Sequence, residues 1–293
     1  MHPSPLARTH GIDIIDDPQA LRLRMAHARA HGKRIAFVPT MGYLHEGHVS
    51  LLRAGRARGD LLVLSIFVNP MQFGANEDLS RYPRDLDGDL AKAATAGCDI
   101  AFCPQPDRVY PPGFQTRVEV TGVQQGLCGD HRPGHFAGVA TVVLKLINVV
   151  QPHVLLLGEK DYQQLMVIRR MVRDLELDVE VLGCPLIRDG DGLALSSRNA
   201  YLSSQQRQQA LVLSRALFAA RDAYRQGTRD RDTLFALSRQ VLASEPALRL
   251  EYLDLRDADT LEPLPATLTT PAVMLVAGHI GRTRLIDNVL LDR

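Results

Sequence analysis

From residue 35 to about residue 182, short runs of leucine and β-branched residues alternate with longer helical patterns, and this rhythm constrains the fold more than any other feature of the chain. It predicts a parallel sheet wrapped by helices. IAFVPT at 35–40 reads as a buried strand, and VSLLRAGRARG at 49–59 as the helix after it, closed by Gly59. LLVLSIFV (61–68), CDIAFCP (98–104), HVLLL (153–157) and VEVL (179–182) supply further strands. RDLDGDLAKAATAG (84–97), FAGVATVVLKLINVV (136–150) and YQQLMVIRRMVRDL (162–175) supply helices between them. The expected fold class is α/β, a Rossmann-like parallel sheet with helices on both faces.

After Pro185 the texture changes. The Gly/Asp-rich RDGDG at 188–192 reads as a mobile loop, and it leads to two long helical patterns and then strand-like runs at 248–255, 272–278 and 283–288. Ser203 stands three residues before Gln206 ahead of an apolar-periodic stretch, the pattern of a capping box. A length of 293 residues suits two domains. The boundary is placed at residue 186, between a Rossmann-like domain (1–186) and a smaller α+β domain (187–293).

Lysine plus arginine number 34 against 33 aspartate plus glutamate, so a net charge of +1 supplies no broad basic field for nucleic acid or membrane. The longest apolar runs fall far short of the ~20 residues that cross a bilayer. MHPSPLARTHGIDIIDD carries no apolar stretch with a cleavage site, and a cytoplasmic protein is expected. Cys98, Cys103, Cys128 and Cys184 show no metal or disulfide spacing and read as reduced, buried thiols.

Several segments could carry chemistry, three of them where strands end. In PTMGYLHEGHVSLL, His45 and His48 flank Glu46 and Gly47 at a strand-to-helix turn, where helix N–H groups receive phosphate and imidazoles donate to phosphoryl oxygens. Gly42 and Gly47 permit close backbone approach to a nucleotide. No P-loop pattern occurs, so phosphate must be bound in another way. In GEKDYQQL at 158–165, Lys160 can neutralise phosphate, Asp161 can accept a ribose hydroxyl or orient the lysine, and either Gln163 or Gln164 can orient a polar substrate. In LALSSRN at 193–199, Ser196, Ser197 and Arg198 form a donor set for a migrating pyrophosphate. SIFVNPMQF at 65–73 ends a strand at Asn69-Pro70 and leaves Gln72 beyond it. LCGDHRPGHFAGVAT adds His131, Arg132 and His135 as anion-contact candidates without an assigned role.

Taken in order, PTMGYLHEGH, SIFVNPMQF, EDLSRYPRDL, LCGDHRPGHFAGVATVVLKL, GEKDYQQLMVIRRMV, DGLALSSRNAYLS and GRTRLIDN resemble the pantothenate synthetase family of HxGH nucleotidyltransferases, from about residue 35 to 288. The resemblance implies an AMP-forming ligase that joins (R)-pantoate to β-alanine through a pantoyl adenylate. It further implies ATP as co-substrate, Mg2+ and a homodimer, with ATP and pantoate bound by the domain 1–186 and the domain 187–293 closing over the site.

By motif, His48 would be the proton donor and His45 its partner on the phosphates, with Lys160 and Arg198 stabilising charge. Met41, Gly42, Tyr43, Leu44, His45, Glu46, Gly47 and His48 would contact ATP, as would Gly158, Glu159, Lys160 and Asp161. Ile187 would contact the nucleotide by its backbone, and Leu195, Ser196, Ser197 and Arg198 would form a second phosphate-binding loop. Gln72 and Gln164, with Asn69, would hold pantoate, Gln72 also lying near β-alanine. Tyr43 departs from the family's small residue and Leu195 from its common methionine, which touches pocket shape and not chemistry. No magnesium ligand is assignable, and Asp89 is only a guess.

Two other readings compete. A nucleotidyltransferase acting on a phosphate acceptor such as phosphopantetheine would want more cations than Gln72 and Gln164 offer. A retired synthetase module holding RNA is disfavoured by the near-neutral charge.

Overall fold

The computed structural model describes residues 7–75 and 77–292. Residues 1–6, part of the N-terminal stretch read above for an export signal, lie outside the described residues. The chain divides into two compact units. One holds the described residues within Met1–Gly122, together with Arg132–Glu159 and Val167–Pro185, and the other holds Val123–His131, Lys160–Met166 and the described residues from Leu186 on.

The first unit is built on seven strands: β1 Ala7–Thr9, β2 Ile12–Ile15, β3 Ile35–Thr40, β4 Leu61–Ile66, β5 Ile100–Phe102, β6 Val154–Gly158 and β7 Glu180–Cys184. They lie in the order β1-β2-β5-β4-β3-β6-β7. Only the β1–β2 pair is antiparallel; β2–β5, β5–β4, β4–β3, β3–β6 and β6–β7 are all parallel. Central strands of such a sheet are covered on both faces and so read as unbroken apolar runs. Ala36, Val38, Leu62 and Leu64 pack with Leu52 and Leu90 from the helices Glu46–Arg56 and Leu86–Thr95. Their alternates Ile35, Phe37 and Val63 are equally sealed from solvent, and the helices Pro18–Ala30 and His135–Val150 touch β3.

The helix after β3 starts three residues earlier than the apolar pattern suggests. His45, in extended backbone, is its N-cap, and the His45 carbonyl accepts from the N–H groups of His48 and Val49. Its C-cap is Ala57, not Gly59. Gly59 serves a different purpose: a Cβ there would lie 2.8 Å from the backbone nitrogen of Ala36, so the chain can enter β4 only by passing flat against β3.

In the second unit three antiparallel strands, β8 Leu248–Asp257, β9 Ala272–Ile280 and β10 Thr283–Leu291, lie in the order β10-β9-β8. Central β9 is buried by alternation. Met274 and Val276 meet Leu217, Ala220 and Leu234 of the helices Ser204–Arg225 and Arg231–Leu242, while Val273 and Leu275 meet Leu127, Tyr162 and Met166. That second contact is why two short segments far earlier in sequence belong to this unit. Ser203 and Gln206 form the expected capping box, each side chain bonding the other's backbone N–H.

Gly59→Ala should lower stability by about 1–3 kcal/mol, the usual cost of overpacking, because the obstacle is backbone and cannot swing away. Urea denaturation of the variant reads this directly; an unchanged midpoint would show that the strand entry tolerates a methyl group.

Candidate active site

The order of the sheet contains a switch. The chain builds β3, β4 and β5 outward in one direction and then returns to place β6 and β7 on the other side of β3. In an open parallel sheet the ligand crevice lies beyond the carboxyl ends of the strands at such a point. Three of the segments singled out from sequence leave this one edge from neighbouring strands: Met41–His48 after β3, Asn69–Gln72 after β4, and Gly158-Glu159 at the end of β6.

The turn after β3 is fastened from inside. Asp89, 1% exposed, accepts the N–H of Tyr43 at 2.7 Å and that of Leu44 at 2.5 Å. Burial raises the pKa of its carboxyl above the usual range, and the two backbone donors act against that rise. Tyr43 sits at φ +52°, a region a bulky side chain enters only when its surroundings hold it there. The Leu44 side chain is 3% exposed and belongs to the core. With its N–H spent on Asp89, Leu44 anchors the turn.

His45 and His48 stand at the start of the next helix with ring centroids 4.0 Å apart. The His45 N–H donates to Nδ1 of His48 at 3.2 Å. An accepting Nδ1 places the proton of the neutral ring on Nε2, so His48 presents a fixed donor. Glu46 pairs with Arg53 across the outer face of the same helix.

After β4, Asn69 is 1% exposed and its amide is spent. Its Oδ1 accepts from the Tyr110 hydroxyl (2.8 Å) and Met71 N–H (3.2 Å), and its Nδ2 donates to Gln72 Oε1 (3.0 Å) and Gly138 O (3.2 Å). Burial pushes the Tyr110 phenol pKa up, keeping it a donor. Asn69 thus orients Gln72, whose Nε2 rests 3.3 Å from the sulfur of Met41. A thioether is a weak acceptor that a ligand oxygen readily replaces.

In the second unit, Lys160 Nζ lies 3.7 Å from Asp161 and its backbone carbonyl accepts from Asn288 Nδ2 at 2.9 Å. Gln163 is 4% exposed and committed: Oε1 takes the Cys128 N–H, and Nε2 faces the carbonyls of Val123, Gln125 and Gly126. Of the two glutamines, Gln164 is the one left for a ligand. Ile187 and Leu195 are neighbours across a short hairpin in which Leu195 N–H donates to Ile187 O at 3.0 Å. Ser196 Oγ accepts the Arg198 N–H at 3.3 Å, shaping the turn Ser197–Tyr201. The RDGDG segment is tied, not loose, since Arg207 pairs with Asp189 at 2.7 Å and with Asp191 at 2.9 Å.

The family model for pantoate-beta-alanine ligase matches residues 13–290. The chain belongs to that family. It is 55% identical over 280 residues to the pantothenate synthetase of Pelobacter propionicus, covering 96% of this chain and 98% of the relative. The pantothenate synthetase of Thermus thermophilus superposes with a TM-score of 0.91 at 45% identity, covering 96% of this chain and 99% of that one. A pantoate-beta-alanine ligase of Francisella tularensis, solved with beta-gamma ATP and beta-alanine, gives 0.80 at 34% identity over 96% and 98% of the two chains.

Membership gives the family resemblance its footing, and the structure adds residues that sequence reasoning missed. Arg188 makes a two-pronged bond to Asp287 (2.7 and 2.8 Å) and also donates to Asn288 O, while Asn288 holds the Lys160 carbonyl. Burial raises the Asp287 carboxyl pKa, and the guanidinium opposes it. The lysine turn and the arginine hairpin of this unit are therefore registered on one pair of adjacent residues. Their sequence signal was present in GRTRLIDN, a segment with no chemistry of its own.

Asp89 is likewise a positioning group, buried with one backbone N–H on each of its oxygens. Asp89→Asn keeps the shape but turns an amide NH2 toward one of those N–H groups. Urea denaturation should show a loss of roughly 1–3 kcal/mol, the scale of a bond to a charged acceptor, accompanied by slower adenylate formation. Wild-type values for both would show that the turn holds without the carboxylate.

Proposed function

We propose that this chain condenses (R)-pantoate with β-alanine, using ATP and releasing AMP and pyrophosphate, and so forms pantothenate for coenzyme A biosynthesis. The observation that carries the reading within the first unit is the convergence of three polar segments at the switch point, one bearing the histidine pair and another the Gln72 amide. A carboxylate is a poor acyl donor until it carries a good leaving group. A pantoate carboxylate oxygen attacks the α-phosphorus, the bond to the β-phosphate oxygen breaks, and pyrophosphate leaves. The β-alanine amine then attacks the acyl carbon of the mixed anhydride, the carbon–oxygen bond to the adenylate breaks, AMP leaves, and the amine proton passes to solvent. No protein nucleophile takes part.

In this reading His48 Nε2–H donates to phosphate oxygens as negative charge builds on the leaving group, with His45 beside it and the backbone of 41–47 along the nucleotide. Lys160 and Arg198 add positive charge, and Gly158, Glu159, Asp161, Ile187, Leu195, Ser196 and Ser197 complete the nucleotide contacts. Gln72 and Gln164 hold pantoate. Asn69 serves through Gln72. Closure of the second unit keeps water from the mixed anhydride. We further place the enzyme in the cytoplasm as a homodimer; no helix among the described residues is long and apolar enough to cross a membrane.

Magnesium finds no protein cage among the described residues. Among the described residues no cluster of three or more His, Cys, Asp or Glu side chains is arranged to hold an ion. In the proposed complex the ion would come with the triphosphate and neutralise its charge, and no step above runs through it.

Pyrophosphate exchange tests the route. Labelled pyrophosphate should enter ATP when pantoate is present and β-alanine absent; no exchange by active enzyme would defeat the adenylate. His48→Ala and Lys160→Ala should fold normally yet slow single-turnover adenylation by at least ~100-fold, the scale of a lost transition-state donor. Near-normal rates in folded variants would remove both assignments.

A further inference from the structure

The segment LCGDHRPGHFAGVAT carries a histidine and an arginine three residues apart, Arg132 and His135, that no step above uses. Neither is aimed at a ligand through free hydrogen-bonding capacity. Arg132 makes a two-pronged bond to Glu77, Nε to Oε1 at 2.8 Å and Nη2 to Oε2 at 2.5 Å. Its charge is answered inside the protein, which sets aside the anion contact that the sequence suggested. His131 belongs to the other unit, where its ring lies against Tyr252.

Both residues converge on one backbone oxygen. His135 Nδ1 lies 2.9 Å from the carbonyl of Gln72, and Arg132 Nη2 lies 3.3 Å from the same atom. Arg132 Nη1 lies 3.0 Å from Nε2 of His135. These contacts determine the state of the ring. A guanidinium only donates, so Nε2 must carry its lone pair; a carbonyl only accepts, so Nδ1 must carry the proton. His135 is therefore neutral, in the Nδ1–H form, and 7% exposed.

The other side of Gln72 is fixed as well. A Cβ on Gly138 would lie 2.2 Å from Met71 O and 2.8 Å from the Gln72 Cα, so the first turn of helix His135–Val150 packs backbone on backbone against the Pro70–Gln72 turn. With the carbonyl gripped by two donors and the Cα pressed on a helix, the peptide plane is set, and with it the direction in which the Gln72 side chain leaves the chain.

We infer that Arg132, His135 and Glu77 form a clamp on the Gln72 carbonyl that aims the Gln72 amide at pantoate, making them positioning residues for substrate recognition. The inference rests on the assignment of pantoate to Gln72 above. It predicts a selective effect: pantoate recognition depends on the clamp, and ATP recognition does not.

Two substitutions of similar size separate the clamp from mere filling of space. In His135→Asn the side-chain NH2 falls where Nδ1–H stood and still reaches the Gln72 carbonyl. In His135→Gln the donor falls at the Nε2 position and faces Arg132, itself a donor. The KM for pantoate should rise on the order of 10-fold in His135→Gln and in Arg132→Lys, the scale of one lost hydrogen bond, with the KM for ATP unchanged. His135→Asn should recover most of the loss. A Gln72→Leu variant serves as the reference.

If Gln72→Leu raises the pantoate KM while His135→Gln and Arg132→Lys leave it at the wild-type value, the clamp is refuted and the Gln72 assignment stands. If Gln72→Leu leaves it unchanged, the assignment fails and the clamp's purpose with it. Parallel loss of thermal stability and of both KM values in His135→Gln and Arg132→Lys would also overturn the proposal, in favour of a general structural role.

Discussion

Parallel pairing of β4, β3 and β6 is the constraint from which the rest follows. Once these strands run the same way and are sealed on both faces, their polar continuations have one edge to leave from, and the return of the chain to the far side of β3 opens a gap between the loops. The helix Glu46–Arg56 then begins with its N–H groups at that edge. A helix start in that position attracts anions by its own partial charge, before any side chain is counted.

What the strands provide in direction, buried polar groups convert into aim. Asp89 has its two oxygens on backbone N–H groups, Asn69 has its amide on four partners, Gln163 faces three carbonyls, and Asp287 meets a guanidinium. Each would be costly if its bonds were broken, and each holds a segment that bears a candidate ligand-contacting group. The distribution makes chemical sense for a reaction between a carboxylate and a polyphosphate. Under the proposed assignment, neutral amides beside the acid would add no repulsion.

Much of the fold was legible because its signal is local. Apolar runs mark the central strands, a Ser-x-x-Gln pattern marks one helix start, and the histidine signature announces the turn after β3. The supports were not legible, because each joins positions remote in sequence. Asp89 acts 45 and 46 residues away on Leu44 and Tyr43, and Glu77 grips an arginine 55 residues on. Gln163 and Gln164 are adjacent and chemically identical, so composition could not choose between them; helix phase does, burying one and leaving the other partly open. Gly59 misled for a related reason: next to a helix end a glycine suggests a cap, whereas the close approach that requires it involves Ala36 on another strand.

The histidines of the first unit show how far residue type alone falls short of role. His48 accepts a backbone N–H at Nδ1, which leaves its proton on Nε2 at the start of a helix. His135 gives its Nδ1 proton to a carbonyl and receives a guanidinium at Nε2, which leaves nothing to offer a substrate. Both are neutral imidazoles in glycine-bearing segments, and from the letters alone both invite assignment to phosphate. The tautomer separates them, and the tautomer is imposed by partners on the main chain and on Arg132. A ring that carries its proton on Nε2 at a helix start is suited to charge that appears during reaction, and a ring held on both sides is suited to keeping a neighbour still. The chemistry at this edge therefore depends as much on which atoms the protein has already satisfied as on which residues it displays.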